Sequence, residues 1–209
     1  MPEAKPSGTQ YEMTRLKAFI AILCAALLSL GTVVPAHAAR VYNPDSNQWE
    51  DASAVATRSR GGSPIRREVV EYASKYKPGT VVVETGERRL YLVMEDGKAL
   101  KYGVGVGRDG FAWSGTHRIT RKAEWPGWTP PAAMRKRVPD LPAYMPGGPD
   151  NPLGARALYI GSTLYRIHGT SEPWSIGQAV SSGCIRLTNE DVTDLYERVT
   201  VGALVVVNH

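Results

Sequence analysis

Cysteine is scarce in this chain: 209 residues carry 2, Cys24 and Cys184. Folds that lean on disulfides need several bridges to replace a missing core, so that class is excluded. Neither sign of charge dominates, with 25 Lys and Arg against 20 Asp and Glu. No arginine-rich helix and no interleaving of aromatic with basic residues occurs, which argues against a nucleic-acid partner. The sequence has no internal repeat and no nucleotide-binding glycine fingerprint. A Cys184, His168 and His117 zinc site would have suitable ligand types, but His-x-x-x-His and Cys-x-x-Cys pairs are missing, so neither a metal nor a cofactor is expected. Long apolar runs are missing beyond one near the start, which excludes a polytopic membrane protein. What remains is an ordinary globular composition, 43% hydrophobic and 22% charged, tilted toward loops by 21 Gly and 15 Pro.

The one apolar run stretches without a charge from Ala18 to Val34, after Arg15 and Lys17. Pro35-Ala36-His37-Ala38-Ala39 then presents the small residues of an Ala-x-Ala cleavage site, so residues 1–38 read as a secretory signal and the periplasm as the destination. Cleavage would remove Cys24 and leave Cys184 as a lone thiol in an oxidising compartment, where a retained thiol asks for a chemical reason. Residues 39–75 are polar and mixed, with Asn43-Pro44-Asp45 and Ser59-Arg60-Gly61-Gly62-Ser63-Pro64, and read as a spacer. The folded domain is expected over 76–209.

Within it, Thr80 to Val83, Leu90 to Met94, Leu100 to Val106, Gly115 to Thr120, Ala157 to Ile160, Leu164 to Ile167 and Ala203 to Val207 read as short strands, about seven in all. Asp96-Gly97 supplies a hairpin turn. Val192, Leu195, Tyr196 and Val199 recur at helical spacing behind Thr188 and Asp191, which have the spacing of a capping box. The expectation is a mostly-β sandwich or partly closed barrel with one helix. Residues 123–154, rich in Pro, Gly and Trp, read either as a lid over a site or as a loop covering a sheet face.

The chemistry concentrates near one strand end. Ile167-His168-Gly169-Thr170 is followed by Ser181-Ser182-Gly183-Cys184-Ile185-Arg186-Leu187, which runs into the capped helix. A thiol attacks as the thiolate, and an imidazole beside it takes the proton and later returns it to a leaving group. Such a pair would keep Cys184 reactive well below the free-thiol pKa of ~8.5. Gly183, lacking a side chain, would let a substrate carbonyl approach the backbone near Cys184. Ser181 orients the motif or bonds near the imidazole. Arg186 binds a substrate carboxylate, or pairs internally with Glu190, Asp191 or Asp194. Gly169 and Thr170 suit turn geometry, and Trp174, Trp125 and Trp128 line a cleft or pack in a core.

This arrangement resembles the L,D-transpeptidase catalytic domain (YkuD-type) of bacterial peptidoglycan enzymes, from about Gly79 to Val207. The resemblance implies Cys184 as nucleophile, His168 as general base and acid, and Ser181, Ser182 and Gly183 as support for the oxyanion. Many members carry histidine where this chain has Ser182, so a role for that second histidine does not transfer. The implied reaction forms a thioester with release of D-alanine from a stem tetrapeptide, then passes the acyl group to the amine of a second stem in a 3-3 cross-link. Acceptors also implied are a lysine of a wall-attached envelope protein, or water. A non-catalytic wall-binding module is the reading from a different class.

Overall fold

The computed structural model describes residues 39–59 and 62–209, so the expected signal sequence lies outside the described residues. The chain opens on a hairpin, β1 (Arg40–Asn43) and β2 (Gln48–Asp51), followed by helix α1 (Ala52–Ser59) and strand β3 (Glu68–Glu71). Strands β4 (Val81–Glu84), β5 (Arg89–Val93) and β6 (Lys98–Gly103) form a meander, and β7 (Val106–Gly107) and β8 (Gly115–Glu124) follow. After helix α2 (Ala132–Arg137) come β9 (Arg156–Ile160), β10 (Arg166–His168), a 3-10 turn at Pro173–Ser175, β11 (Ala179–Ser181) and β12 (Ile185–Arg186). Helix α3 (Asn189–Arg198) and β13 (Leu204–Asn208) close the chain.

The fold is mostly β. Its centre is one mixed sheet of nine strands in the order β12-β10-β9-β8-β13-β4-β5-β6-β3. The β10–β12 and β13–β4 pairs are parallel and the others antiparallel. Val81 and Val83 of β4 and Leu90 and Leu92 of β5 share one core cluster with Ile167 and Ile185 from the far end of the sheet. The sheet therefore curls over its own apolar face. A backbone bridge from Gly105 to Arg186, 2.9 Å in each direction, ties the curled ends together, but no strand ladder closes a barrel.

Local chemistry explains the elements the sequence announced. Asp96 and Gly97 both adopt positive φ, 57° and 67°, as the two-residue turn between β5 and β6 demands. Thr188 caps α3 by accepting a hydrogen bond from the Asp191 amide at 3.1 Å, and Val192, Leu195 and Val199 lie in the core.

Two expectations are corrected. The polar spacer expected over 39–75 carries regular elements at its described residues, because β1, β2, α1 and β3 lie there and β3 pairs with β6 from Glu68↔Lys101 to Glu71↔Lys98. Strands of four residues are too short to show a period, and their stability comes from distant partners: fully buried Tyr42 stacks on Trp128 at 5.9 Å. The 123–154 segment likewise contains α2 and extends β8 to Glu124, so α3 is not the sole helix.

Candidate active site

Strand parity builds the site. In the parallel β10–β12 pair, Ile167 is registered with Ile185 and His168 with Arg186. Side chains alternate across a strand, so Ile167 and Ile185 enter the core, while Arg166, His168, Cys184 and Arg186 share the opposite face. All four line a single cleft of about 850 Å³.

The segment 123–154 supplies the opposite wall. Trp128, Pro130, Pro131, Met134, Arg135, Arg137 and Leu153 face the cleft. Trp128, Met134, Leu141 and Leu153 also pack with Tyr42 in a second apolar cluster, which anchors this wall to the N-terminal hairpin. Of the tryptophans weighed from the sequence, only Trp128 lines the cleft. Trp174 instead lies beneath the Arg58 guanidinium of α1, 4.5 Å from its ring centre, and Trp125 stands 44% exposed.

Cys184 is half-buried, and His168 is 4% exposed. The imidazole Nδ1 lies 2.6 Å from the Gly169 carbonyl oxygen. A carbonyl only accepts, so Nδ1 carries the proton and the lone pair of the neutral ring resides on Nε2. Burial pushes the His168 pKa down to about 3, and the Arg186 and Arg166 guanidinium groups push the same way against the Gly169 and Leu153 carbonyls. A resting imidazolium, which the sequence reading expected beside a thiolate, does not fit this environment. Burial thus favours the neutral form of the ring.

The Ser-Ser-Gly-Cys turn is held from within. Ser181 Oγ donates to the Cys184 carbonyl at 2.6 Å and accepts from the Gly183 amide at 3.2 Å. Gly183 adopts φ +103°, and a Cβ there would run into the Tyr165 ring. That ring stacks on Trp113 at 4.6 Å, and Trp113 Nε1 donates to the Gly183 carbonyl at 2.7 Å. The Cβ side of Gly183 is therefore filled by the Tyr165 ring, so the lack of a side chain serves close packing there. Ser182 is exposed and lines the cleft. Gly169 packs against Asn189, where a Cβ would strike Oδ1, and Thr170 Oγ1 accepts from the Glu172 amide at 3.0 Å. Both serve the turn, outside the residues that line the cleft.

Arg186 pairs internally, but not with the helix carboxylates weighed for it. Its guanidinium forms a two-pronged bond with Asp45, on the hairpin turn, and lies 3.6 Å from Glu172. Burial raises the Glu172 pKa to about 7 against the pull of Arg186. Asp45, Glu172, Tyr165 and Trp113 escaped the sequence reading. Arg166 had a legible signal, since it shares the parity of His168. His117 sits edge-on to Trp113 at 5.7 Å, outside the cleft lining, and no group of His, Cys, Asp and Glu among the described residues is arranged to hold a metal.

The sequence model of the YkuD family, described as the L,D-transpeptidase catalytic domain, matches residues 78–207. The chain belongs to this family. It is 43% identical over 134 residues to the probable L,D-transpeptidase ErfK/SrfK of Escherichia coli K12, covering 60% of this chain and 42% of that protein. It is 44% identical over 134 residues to the probable L,D-transpeptidase YbiS of the same strain, covering 60% and 43%. The chain thus spans under half the length of these curated relatives. Among solved structures, an Enterococcus faecium L,D-transpeptidase mutant superposes with a TM-score of 0.51 at 16% identity over 63% of this chain and 50% of that one. The avibactam carbamoyl enzyme of Ldtfm gives 0.52 at 17% identity over 64% and 50%. These likenesses support the same L,D-transpeptidase fold.

Proposed function

We propose that the chain is an exported cysteine L,D-transpeptidase acting on peptidoglycan stem peptides in the periplasm. The observation that supports this reading is that Cys184 and a neutral His168, its lone pair on Nε2, line one cleft that also bears Arg135, Arg137 and Arg166. A cationic cleft suits a peptide that carries carboxylates, as a stem tetrapeptide does.

The thiol gives its proton to His168 Nε2 as sulfur attacks the carbonyl carbon of the third stem residue. The Gly183 amide is engaged by Ser181, so we assign the Cys184 amide to the oxyanion. The C–N bond to D-alanine breaks as Nε2–H returns its proton to the leaving amine, and a thioester remains on Cys184. The side-chain amine of a second stem attacks the thioester and loses a proton to Nε2, which passes it to the departing sulfur. A 3-3 cross-link and free thiol result. Trp128, Pro130, Pro131, Met134 and Leu153 form an apolar wall that limits water, the competing acceptor.

The test is mass spectrometry of products from purified disaccharide tetrapeptide. The wild-type chain is expected to release D-alanine and form 3-3 dimers. Cys184→Ala should retain its melting transition and release none. Release by that variant overturns the assignment. Tripeptide alone would identify a carboxypeptidase, and a lysine adduct on an envelope protein would identify attachment.

A further inference from the structure

We propose that Asp45, on the turn of the N-terminal hairpin, is a positioning residue of the acyl-transfer site, holding Arg186 in place and offsetting part of the charge that opposes proton transfer to His168. This rests on the function proposed above. Asp45 precedes the family-matched residues 78–207, so the contact adds a part that the matched domain does not itself contain.

Arg186 is anchored at both ends. Its backbone bridges Gly105, and its guanidinium, with the side chain 5% exposed, meets the Asp45 carboxylate through Nη1 and Nη2. Such a fork fixes the plane of the guanidinium as well as its place. A cation this deep requires a counter-charge. Glu172 at 3.6 Å is an incomplete one, because burial keeps it largely protonated up to about pH 7. Asp45 is the better placed carboxylate, 16% exposed and directly bonded.

The link to chemistry is the register. His168 is the direct neighbour of Arg186 across the parallel pair, whereas Cys184 lies two residues before Arg186, just ahead of β12. Repulsion from Arg186 therefore falls first on the ring that must accept a proton. The other charges facing this region are Arg166 beside His168, and Arg58, which acts on Glu172. Removing the Asp45 charge leaves two guanidinium groups, Arg186 and Arg166, acting on the base, with Glu172 as the remaining carboxylate beside Arg186, and with Arg58 held by Glu50.

The test uses the full chain with Asp45→Asn, Asp45→Glu and Arg186→Gln, alone and with Asp45→Asn. Two rates are read beside the melting curve: alkylation of Cys184 by iodoacetamide at neutral pH, which needs no substrate, and D-alanine release. Asp45→Asn is expected to lower the alkylation rate and kcat by about tenfold, an order set by losing one compensating charge near a proton acceptor, with KM held. Asp45→Glu should recover most of both, and Asp45→Asn should cost nothing further in the Arg186→Gln background. The proposal is overturned by wild-type rates in Asp45→Asn, by a change confined to KM, or by an undiminished loss when Arg186 is already Gln. Melting below the assay temperature in both Asp45 variants would assign the residue to hairpin architecture and overturn it as well. A wild-type chain that alkylates normally but releases no D-alanine would instead refute the proposed function, while the alkylation series still judges Asp45.

Discussion

His168 and Glu172 sit in the same buried neighbourhood and titrate in opposite directions from their ordinary values, for one reason: burial disfavours the charged form of each. The consequences for stability have opposite signs. With its pKa falling from 6.5 unfolded to about 3 folded, His168 leaves folding unaffected above 6.5 and erodes stability progressively as pH falls from 6.5 toward 3. Glu172, rising from 4.5 to about 7, has no effect below 4.5 and erodes stability as pH climbs from there through 7. Chemical denaturation at a series of pH values should show Glu172→Gln gaining stability relative to wild type above pH 7, with little difference at pH 4. His168→Gln should flatten the acid limb between 6.5 and 3. A third residue-scale expectation concerns Gly183. Its φ of +103° and the Tyr165 ring against it leave no room for a methyl group, so Gly183→Ala should destabilise by about 1–3 kcal/mol and misplace Cys184. A melting curve paired with the alkylation rate checks both effects.

At the scale of elements, the catalytic candidates are set by two short strands and the turn between β11 and β12. The β10–β12 register turns two isoleucines inward and sends Arg166, His168 and Arg186 to the cleft face, and a slip of one residue would reverse every assignment. The facing wall behaves as an element too, because Trp128 stitches it to Tyr42 of the N-terminal hairpin. Trp128→Ala removes a large ring from that cluster and should cost about 3–5 kcal/mol of stability. In product analysis, the loosened wall is expected to raise the share of thioester lost to water relative to amine transfer. An unchanged share would show that water exclusion resides elsewhere.

For the whole molecule, the excess of guanidinium groups around the cleft predicts a salt-dependent substrate affinity. KM for a stem peptide should rise as ionic strength goes from ~10 mM to several hundred mM, as screening shortens from ~30 Å to below ~8 Å. Arg137, exposed on α2 and lining the cleft, reports this best: Arg137→Glu should raise KM and weaken its salt dependence while leaving the melting temperature near wild type. The sequence by itself determined the mostly-β class, the strands β4 to β6 and the capped helix α3, and it singled out the histidine and cysteine motifs that line one cleft, because each is written in short-range chemistry: alternation, turn residues, a cap, a short motif. Tertiary structure alone decided that residues 39–75 belong to the fold, that Trp128 rather than Trp174 walls the cleft, that Gly183 makes room for Tyr165, and that Arg186 answers to Asp45. Those contacts join positions far apart in the chain. Their strength arises from burial that no local window of sequence records, so only the curled sheet, by bringing its ends together, reveals them.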